Sequence, residues 1–320
     1  MSKERWVNEV NEEVVVDCHT HASGIDAFNF FVPRAPSSQS INELEEKITR
    51  AGVSYCIVFP MPFTLYYNPR LALKEGKLQP SGLENFPYEV ENKTLLYEVG
   101  LSSGRFIPFL AIDPKEKVEK QVEFLRKSRR YFGLKLHTMA TQSSVEDLEN
   151  SPFLEILQER DIPLMVHSGR EKNTLPITIL NFAKRHPNIR ICIAHLAGFD
   201  SWVLQQISTI PNLFVDTSPF SVCCNLATKR DPGYLSDQNL EIDYSDPVKV
   251  LVSIYGLLKE HIIWGTDEPW TTITDPKTGK IIIKSSYTQE RLILEKLAQA
   301  GFSEIKYKIA NYNIKRFLFG

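Results

Sequence analysis

The sequence has no long apolar run and no excess of charge of either sign. No stretch approaches the roughly 18 apolar residues that span a bilayer, and the opening MSKERWVNEVNEE lacks the apolar segment of a signal peptide. The 37 lysines and arginines nearly balance 39 aspartates and glutamates, which gives a formal net charge of −2. These absences argue against membrane and nucleic-acid partners, and we expect a cytoplasmic protein.

The sequence also lacks a cysteine framework. It has five cysteines, an odd number, and the adjacent Cys223 and Cys224 have no CxxC pair to complete a metal-binding knuckle. Three of the five lie in apolar runs, where buried reduced thiols are expected rather than disulfides. With 320 residues, 42% of them hydrophobic, the chain can build a large core by burial alone.

What the sequence does have is a regular alternation of strand and helix patterns. Eight short runs rich in Val, Ile, Leu and Phe predict strands at 14–21, 53–59, 105–112, 133–137, 163–167, 190–195, 213–217 and 262–266. Amphipathic segments follow most of them, at 41–50, 117–130, 145–160, 175–186, 202–208, 247–259 and 287–300. This pattern predicts a (β/α)8 TIM barrel that forms one domain over residues 1–320.

Two connections in this pattern are unusually long. They cover residues 60–90 after the second strand and 218–245 after the seventh. Both leave the carboxyl ends of strands, which is the face where barrel enzymes place their active sites. We therefore expect these long loops to form lids or walls of a pocket.

Five of the seven histidines end a predicted strand: His19, His21, His137, His167 and His195. His19 and His21 point to the same side of the first strand because side chains alternate, and Asp267 follows the eighth strand on the inward face. Three imidazoles and one carboxylate at one rim suit a borderline cation such as Zn²⁺. The sequence therefore predicts a metal centre.

The motifs that carry these residues resemble those of a known family. They are VVVDCHTH, FGLKLHT, IPLMVHSG, HPNIRICIAHLAG, PNLFVDTS, WGTDEPW and the tail NIKRFLFG, in that order along the chain. Together they resemble the motifs of the amidohydrolase superfamily, specifically its amidohydrolase-related branch. Within that branch, the sequence is similar to the aminocarboxymuconate semialdehyde decarboxylase group.

The resemblance implies roles for the site residues. His19, His21, His167 and Asp267 match the metal ligands, and Asp267 also accepts a proton from the metal-bound water. His195 orients that water or carries its proton, and its alternative is a fifth ligand or a hydrogen-bonded rim residue. Lys135 and His137 share a face of strand four, so either could serve a second metal or the substrate; we favour one divalent ion, most simply Zn²⁺. Arg170 could bind a substrate carboxylate, and its alternative is a solvated loop cation.

The implied activity is metal-dependent hydrolysis of a small amide, ester or lactone by a metal-activated water. The alternative is non-oxidative decarboxylation of a small unsaturated or aromatic acid, because that subgroup uses the same ligands. We expect a small-molecule substrate as the partner, and a homodimer is left open.

Overall fold

The eight predicted strands form the barrel. The computed structural model describes residues 14–24, 38–275, 278 and 280–320. Its main sheet holds eight parallel strands in the order β1 to β8, so every strand pairs with its neighbour in sequence. The strands are β1 Val16–His21, β2 Tyr55–Phe59, β3 Phe106–Ile112, β4 Gly133–Leu136, β5 Leu164–Val166, β6 Ile191–Ile193, β7 Leu213–Asp216 and β8 Ile262–Ile263. This is the predicted (β/α)8 barrel.

Helices cover the outside of the barrel. In chain order they are α1 Ile41–Arg50, α2 Pro69–Glu75, α3 Glu89–Leu101, α4 Val118–Lys127, α5 Thr138–Thr141, α6 Pro152–Glu159, α7 Pro176–Arg185, α8 Ser201–Ile207, α9 Phe220–Thr228, α10 Pro247–Leu258, α11 Tyr287–Gln299, α12 Ser303–Tyr307 and α13 Asn313–Phe319. A two-stranded hairpin, β9 Thr272–Thr274 and β10 Ile281–Lys284, follows β8. Among the described residues, every helix is too short or too polar to span a bilayer.

The long connections after β2 and β7 contain helices that the sequence pattern did not predict. The first holds α2 and leads into α3, and the second holds α9. Helix α3 gives no amphipathic signal because it buries the polar Glu91 and Asn92 while Tyr97 and Leu101 are exposed. Helix α9 buries the adjacent residues Cys223 and Cys224, so its apolar residues do not follow the helical spacing that predicts an amphipathic helix.

The interior of the barrel is filled by side chains that point inward from alternate positions. Phe59 and Phe109 meet edge to face at 5.6 Å between ring centroids. From the last helix, Phe317 packs against Phe109 and Phe214 and closes the amino-terminal end of the barrel. A packed core therefore lies below the carboxyl ends of the strands, and only that upper face is available for a site.

The barrel closes between β1 and the segment that follows β8. Three backbone hydrogen bonds make this closure, including one of 2.8 Å from Asp267 N to His19 O. The approach is so close that a Cβ atom added to Gly265 would lie 2.9 Å from His19 Cβ and 3.0 Å from Cys18 Sγ. Only glycine fits at this position, and its absence of a side chain brings Asp267 beside the two histidines of β1.

All five cysteines are buried and none forms a disulfide. Burial raises the pKa of the Cys18, Cys56 and Cys192 thiols well above the ordinary value, so these residues behave as small apolar side chains. The predicted reduced, buried thiols are confirmed.

Candidate metal centre

His19, His21 and Asp267 converge at the carboxyl end of the barrel. One ligand atom from each residue lies within 4.8 Å of those from the other two, and all three residues are buried. Asp267 Oδ1 is 3.3 Å from His19 Nε2 and 3.5 Å from His21 Nε2. These residues are three of the four predicted ligands, and the structure places them together.

The Nδ1 hydrogen bonds of the two histidines turn their Nε2 atoms toward Asp267. His19 Nδ1 donates to Asp216 Oδ2 at 2.8 Å, and His21 Nδ1 donates to Pro60 O at 2.8 Å. Each ring therefore carries its proton on Nδ1 and turns the lone pair of Nε2 toward Asp267. Burial lowers the pKa of His19 to about 3, so the imidazole stays neutral as a ligand must. The donor set fits a divalent ion with nitrogen and oxygen ligands.

Asp216, at the end of β7, is the site residue that the sequence did not reveal. Its carboxylate accepts four hydrogen bonds: from His19 Nδ1 at Oδ2, and at Oδ1 from His195 N and from both N and Oγ of Ser218. Burial opposes ionisation, but the hydrogen bonds donated by His19 and Ser218 hold the pKa of Asp216 below its ordinary value. The only signal was the motif PNLFVDTS, in which an aspartate ends the seventh apolar run.

Asp17 lies two residues before His19 on β1 and links β1 to the segment after β8. Its Oδ1 accepts hydrogen bonds from His19 N at 3.0 Å and Thr266 N at 3.1 Å, and Oδ2 accepts from Thr266 Oγ1 at 2.7 Å. Burial raises the pKa of Asp17 to about 7. Asp17 therefore supports the ligand-bearing backbone and does not face the ligand cluster.

Lys135, on β4, lies beside the ligand cluster. Its Nζ is 3.1 Å from His19 Nε2 and 4.6 Å from the centroid of the Phe59 ring, and the side chain is buried. Burial lowers the pKa of Lys135 to about 8, against the opposing charges of Asp216 and Asp267. The lysine thus contacts the same nitrogen that a metal would take, so it is placed either to neutralise the site or to serve a second ion.

His167 lies next to the cluster and is joined to His195. His195 Nδ1 donates to Ser218 O at 2.7 Å, which leaves His195 Nε2 as the acceptor for His167 Nδ1 at 2.9 Å. His167 therefore keeps an unprotonated Nε2, the form needed for a fourth ligand, although it lies outside the group of three. In this arrangement His195 fixes the ring of His167, and the predicted part of His195 in proton transfer stays a prediction.

The backbone at His195 turns in the left-handed direction. His195, Leu196, Ala197 and Phe199 all have φ between 51° and 61°, and each non-glycine residue in this region costs about 1 kcal/mol or more. Gly198 belongs to the same turn, and a Cβ there would lie 2.6 Å from Tyr234 O. Tyr234 OH donates to His195 O at 3.0 Å, so the connection after β7 secures this turn.

A cavity of about 180 Å³ opens above the cluster. Besides the site residues His21, His137, His167, His195 and Asp267, its lining residues are Pro62, Phe63, Met139 and Trp270. Two of these walls, Pro62 and Phe63, come from the connection after β2, as predicted for a pocket wall. A larger cavity of about 740 Å³ lies along residues 227–244, in the connection after β7.

The remaining predicted residues occupy different places. His137 lines the 180 Å³ cavity and stacks on His167, with ring centroids 4.1 Å apart and planes 12° from parallel. Arg170 does not line the 180 Å³ cavity, and its Nη2 lies 3.7 Å from Oδ2 of the exposed Asp237. Its predicted role in binding a carboxylate stays a prediction.

The wall formed by Phe63 is anchored by a pair of buried glutamates. Thr64 Oγ1 donates to Glu84 Oε2 at 2.7 Å and lies 3.2 Å from Glu91 Oε2, and Leu65 N donates to Glu91 Oε1 at 2.7 Å. Burial, and then the charge of Glu84, raise the pKa of Glu91 to about 8. The two carboxyl groups tie the wall to the first turn of α3.

Comparison with known families agrees with this geometry. A family model described as "Amidohydrolase" matches residues 16–318, which is nearly the whole chain. The chain belongs to this amidohydrolase family. The resemblance stated from the sequence motifs is therefore confirmed, and no curated protein sequence matches the chain. Members of this superfamily are in general metal-dependent enzymes.

Solved structures share the fold of this chain at low identity. A probable 2-pyrone-4,6-dicarboxylic acid hydrolase from Acinetobacter baumannii is 13% identical, with a TM-score of 0.58 over 96% of this chain and 99% of that one. An amidohydrolase from Burkholderia multivorans with bound zinc is 12% identical, with a TM-score of 0.60 over 96% and 100%. A 2,6-dihydroxybenzoate decarboxylase in complex with 2,6-dihydroxybenzoate is 12% identical, with a TM-score of 0.62 over 95% and 98%. At these identities the likeness shows the fold alone.

Proposed function

We propose that this protein is a metal-dependent hydrolase of a small amide, ester or lactone. The observation that carries the proposal is the convergence of His19 Nε2, His21 Nε2 and Asp267 Oδ1, with both Nδ1 atoms bonded away from the cluster. Two imidazoles and a carboxylate favour Zn²⁺ among divalent ions, and the zinc bound to the Burkholderia structure supports that choice. When bound, such an ion lowers the pKa of a coordinated water and polarises a carbonyl group.

The protein's own residues supply the rest of the chemistry. Asp267 Oδ1 is the carboxylate oxygen of the cluster. Burial raises the pKa of Asp267 in the metal-free site, and a cation held at Oδ1 would favour the ionised form, which is the form that can accept a proton. Asp216 holds the His19 ring, and the His167–His195 hydrogen bond holds the next imidazole along the rim. The residues thus orient one another before a substrate enters.

The size of the cavity supports a small substrate. A volume of about 180 Å³ lies below the roughly 300–1,000 Å³ that is usual for small-molecule pockets. Phe63, Met139 and Trp270 supply apolar walls, and the histidines and Asp267 supply the polar floor. A compact acyl compound or ring suits this space better than a polymer.

Decarboxylation of a small unsaturated or aromatic acid is the second candidate. The structural likeness to the 2,6-dihydroxybenzoate decarboxylase supports it, as likeness to the pyrone dicarboxylic acid hydrolase supports hydrolysis. Both reactions need a polarised carboxyl or carbonyl group beside the same ligands, so the reaction products must separate them.

Metal analysis and a substrate panel test the proposal. Protein purified without chelator should hold about one equivalent of zinc or another divalent ion. The panel holds small amides, esters, lactones and unsaturated acids, and the readouts are acid release and CO2 release. Less than a tenth of an equivalent of metal, with no activity gained on adding Zn²⁺, Mn²⁺ or Co²⁺, would refute the proposal. CO2 release without hydrolysis would establish the second candidate.

Asp267→Asn tests the part played by the carboxylate. The amide keeps an oxygen for the metal but cannot accept a proton, so turnover should fall by at least about 100-fold while much of the metal stays bound. The matched control is Asp147→Asn, which changes an exposed aspartate that accepts a hydrogen bond from Ser144 N and lies outside the cavity. A variant that keeps more than a tenth of the wild-type rate would show that Asp267 is not the base.

A further inference from the structure

The strand-four histidine has a fixed proton position. His137 follows β4 and caps the short helix α5, and its Nδ1 accepts a hydrogen bond from Ala140 N at 3.2 Å. An atom that accepts from a backbone N–H carries a lone pair and no proton. The neutral ring therefore holds its single proton on Nε2, and the helix cap selects this tautomer.

The ring of His137 is also fixed in position. It stacks on His167 at 4.1 Å and lies 5.9 Å from the centroid of Phe63, and only 7% of the residue is exposed. His137 lines the same 180 Å³ cavity as His21 and Asp267. Among the described residues, none accepts a hydrogen bond from His137 Nε2. This nitrogen is also not one of the fully buried polar atoms without a partner, so it remains accessible to a ligand.

This tautomer does not suit a metal ligand. Binding a metal through Nε2 would require the proton to move to Nδ1, where it would face the Ala140 N–H group, donor against donor. The cap at α5 would then be lost together with the hydrogen bond. A second metal at His137 is therefore disfavoured by a group that belongs to the backbone and cannot be reoriented.

We propose that His137 is a substrate-binding residue whose Nε2–H donates a hydrogen bond to an oxygen atom of the substrate's reacting group. The inference rests on the proposed function, because it assigns the donor that orients an acyl or carboxyl oxygen in the same cavity as the metal ligands. It selects substrates that present an acceptor oxygen on the side of the cavity formed by β4. It also assigns His137 to the substrate and not to a second ion.

The first test measures the tautomer directly. Nitrogen chemical shifts of ¹⁵N-histidine-labelled full-length protein, with the His137 signal assigned by comparison with His137→Asn, should show a proton on Nε2 in the metal-free protein. The same signal should persist when two equivalents of Zn²⁺ are added. A proton on Nδ1, or loss of the Nε2 proton as the second equivalent binds, would overturn the inference and indicate a metal ligand.

The second test measures ligand binding. Acetohydroxamate, a small zinc-binding amide analogue, serves as the probe for zinc-loaded protein in calorimetry. His137→Phe should weaken its binding about tenfold, with zinc content unchanged, because one buried hydrogen bond is lost. His137→Asn keeps the helix cap and an amide donor and should lose less. His186→Phe, which changes a histidine that pairs with Glu149 outside the cavity, is the matched control and should bind the probe as the wild type does.

The outcomes separate this inference from the proposed function. Equal affinity of the wild type and His137→Phe for acetohydroxamate, at equal zinc content, would overturn the role of His137 while the metal centre stands. Failure of the wild type to bind zinc would refute the proposed function, and the substrate-binding role with it. The tautomer in the metal-free protein would still decide whether His137 can act as a donor.

Discussion

Replacing Asp216 by asparagine tests how the protein prepares His19 for a metal. The carboxylate accepts one hydrogen bond at Oδ2, from His19 Nδ1, and three at Oδ1, from His195 and Ser218. Asparagine has a single acceptor oxygen, and the three donors at the Oδ1 position should claim it. The amide NH2 group then faces His19 Nδ1.

This reversal changes the tautomer of His19. An NH2 donor beside Nδ1 favours a ring with its lone pair on Nδ1 and its proton on Nε2, which is the atom that faces His21 and Asp267. Loss of such a supporting partner typically costs about 10- to 100-fold in metal affinity. That range corresponds to about 1.4–2.7 kcal/mol of binding free energy.

The assay is a competition titration with a chromogenic chelator at neutral pH, which yields the Kd for zinc. Thermal unfolding of the metal-free protein, run in parallel, separates loss of the site from loss of the fold. Asp113→Asn is the matched control, since it changes a buried carboxylate that binds Tyr67 and contacts none of the ligands. A Kd for Asp216→Asn within twofold of the wild type, with the fold intact, would refute the argument about His19.

Three further perturbations follow from the packing. Gly265→Ala should destabilise the fold by about 1–3 kcal/mol and weaken zinc binding, because its Cβ would lie 2.9 Å from His19 Cβ. Gly256→Ala, which has open space around it, is the control, and equal unfolding temperatures of the two variants would contradict the prediction. Burial raises the pKa of Glu91 from an ordinary 4.5 to about 8, so the native state holds this proton more tightly than the unfolded state, and the free energy of unfolding should fall as pH rises from about 5 through 8. In urea unfolding, Glu91→Gln should flatten this pH profile, whereas the exposed Glu119→Gln should keep it. Phe317→Ala should cost about 3–5 kcal/mol of unfolding free energy but leave zinc affinity unchanged in the folded protein, and a loss of affinity would show that the bottom of the barrel controls the site.

The prediction of secondary structure succeeded where burial imposes a pattern. Strands of a parallel barrel are buried on both faces, so each reads as a continuous apolar run, and all eight were predicted. Helix α3 was not predicted because its polar Glu91 and Asn92 face inward, where they bind the backbone of Leu65 and Ala111. Hydrogen bonds to a distant segment reverse the usual pattern, and they leave no periodic signal in the sequence.

The sequence alone predicts the barrel and places His19, His21 and Asp267 at its upper face. It could do so because the alternation of side chains along a strand and the position at a strand end are local properties. Which atoms of those residues face one another depends on the folded barrel. The proton on His19 is positioned by Asp216, which is distant in sequence, whereas the proton on His137 is positioned by the local cap at Ala140. A hydrogen bond across 197 residues, such as that between His19 and Asp216, depends on closure of the barrel, and no local pattern encodes it.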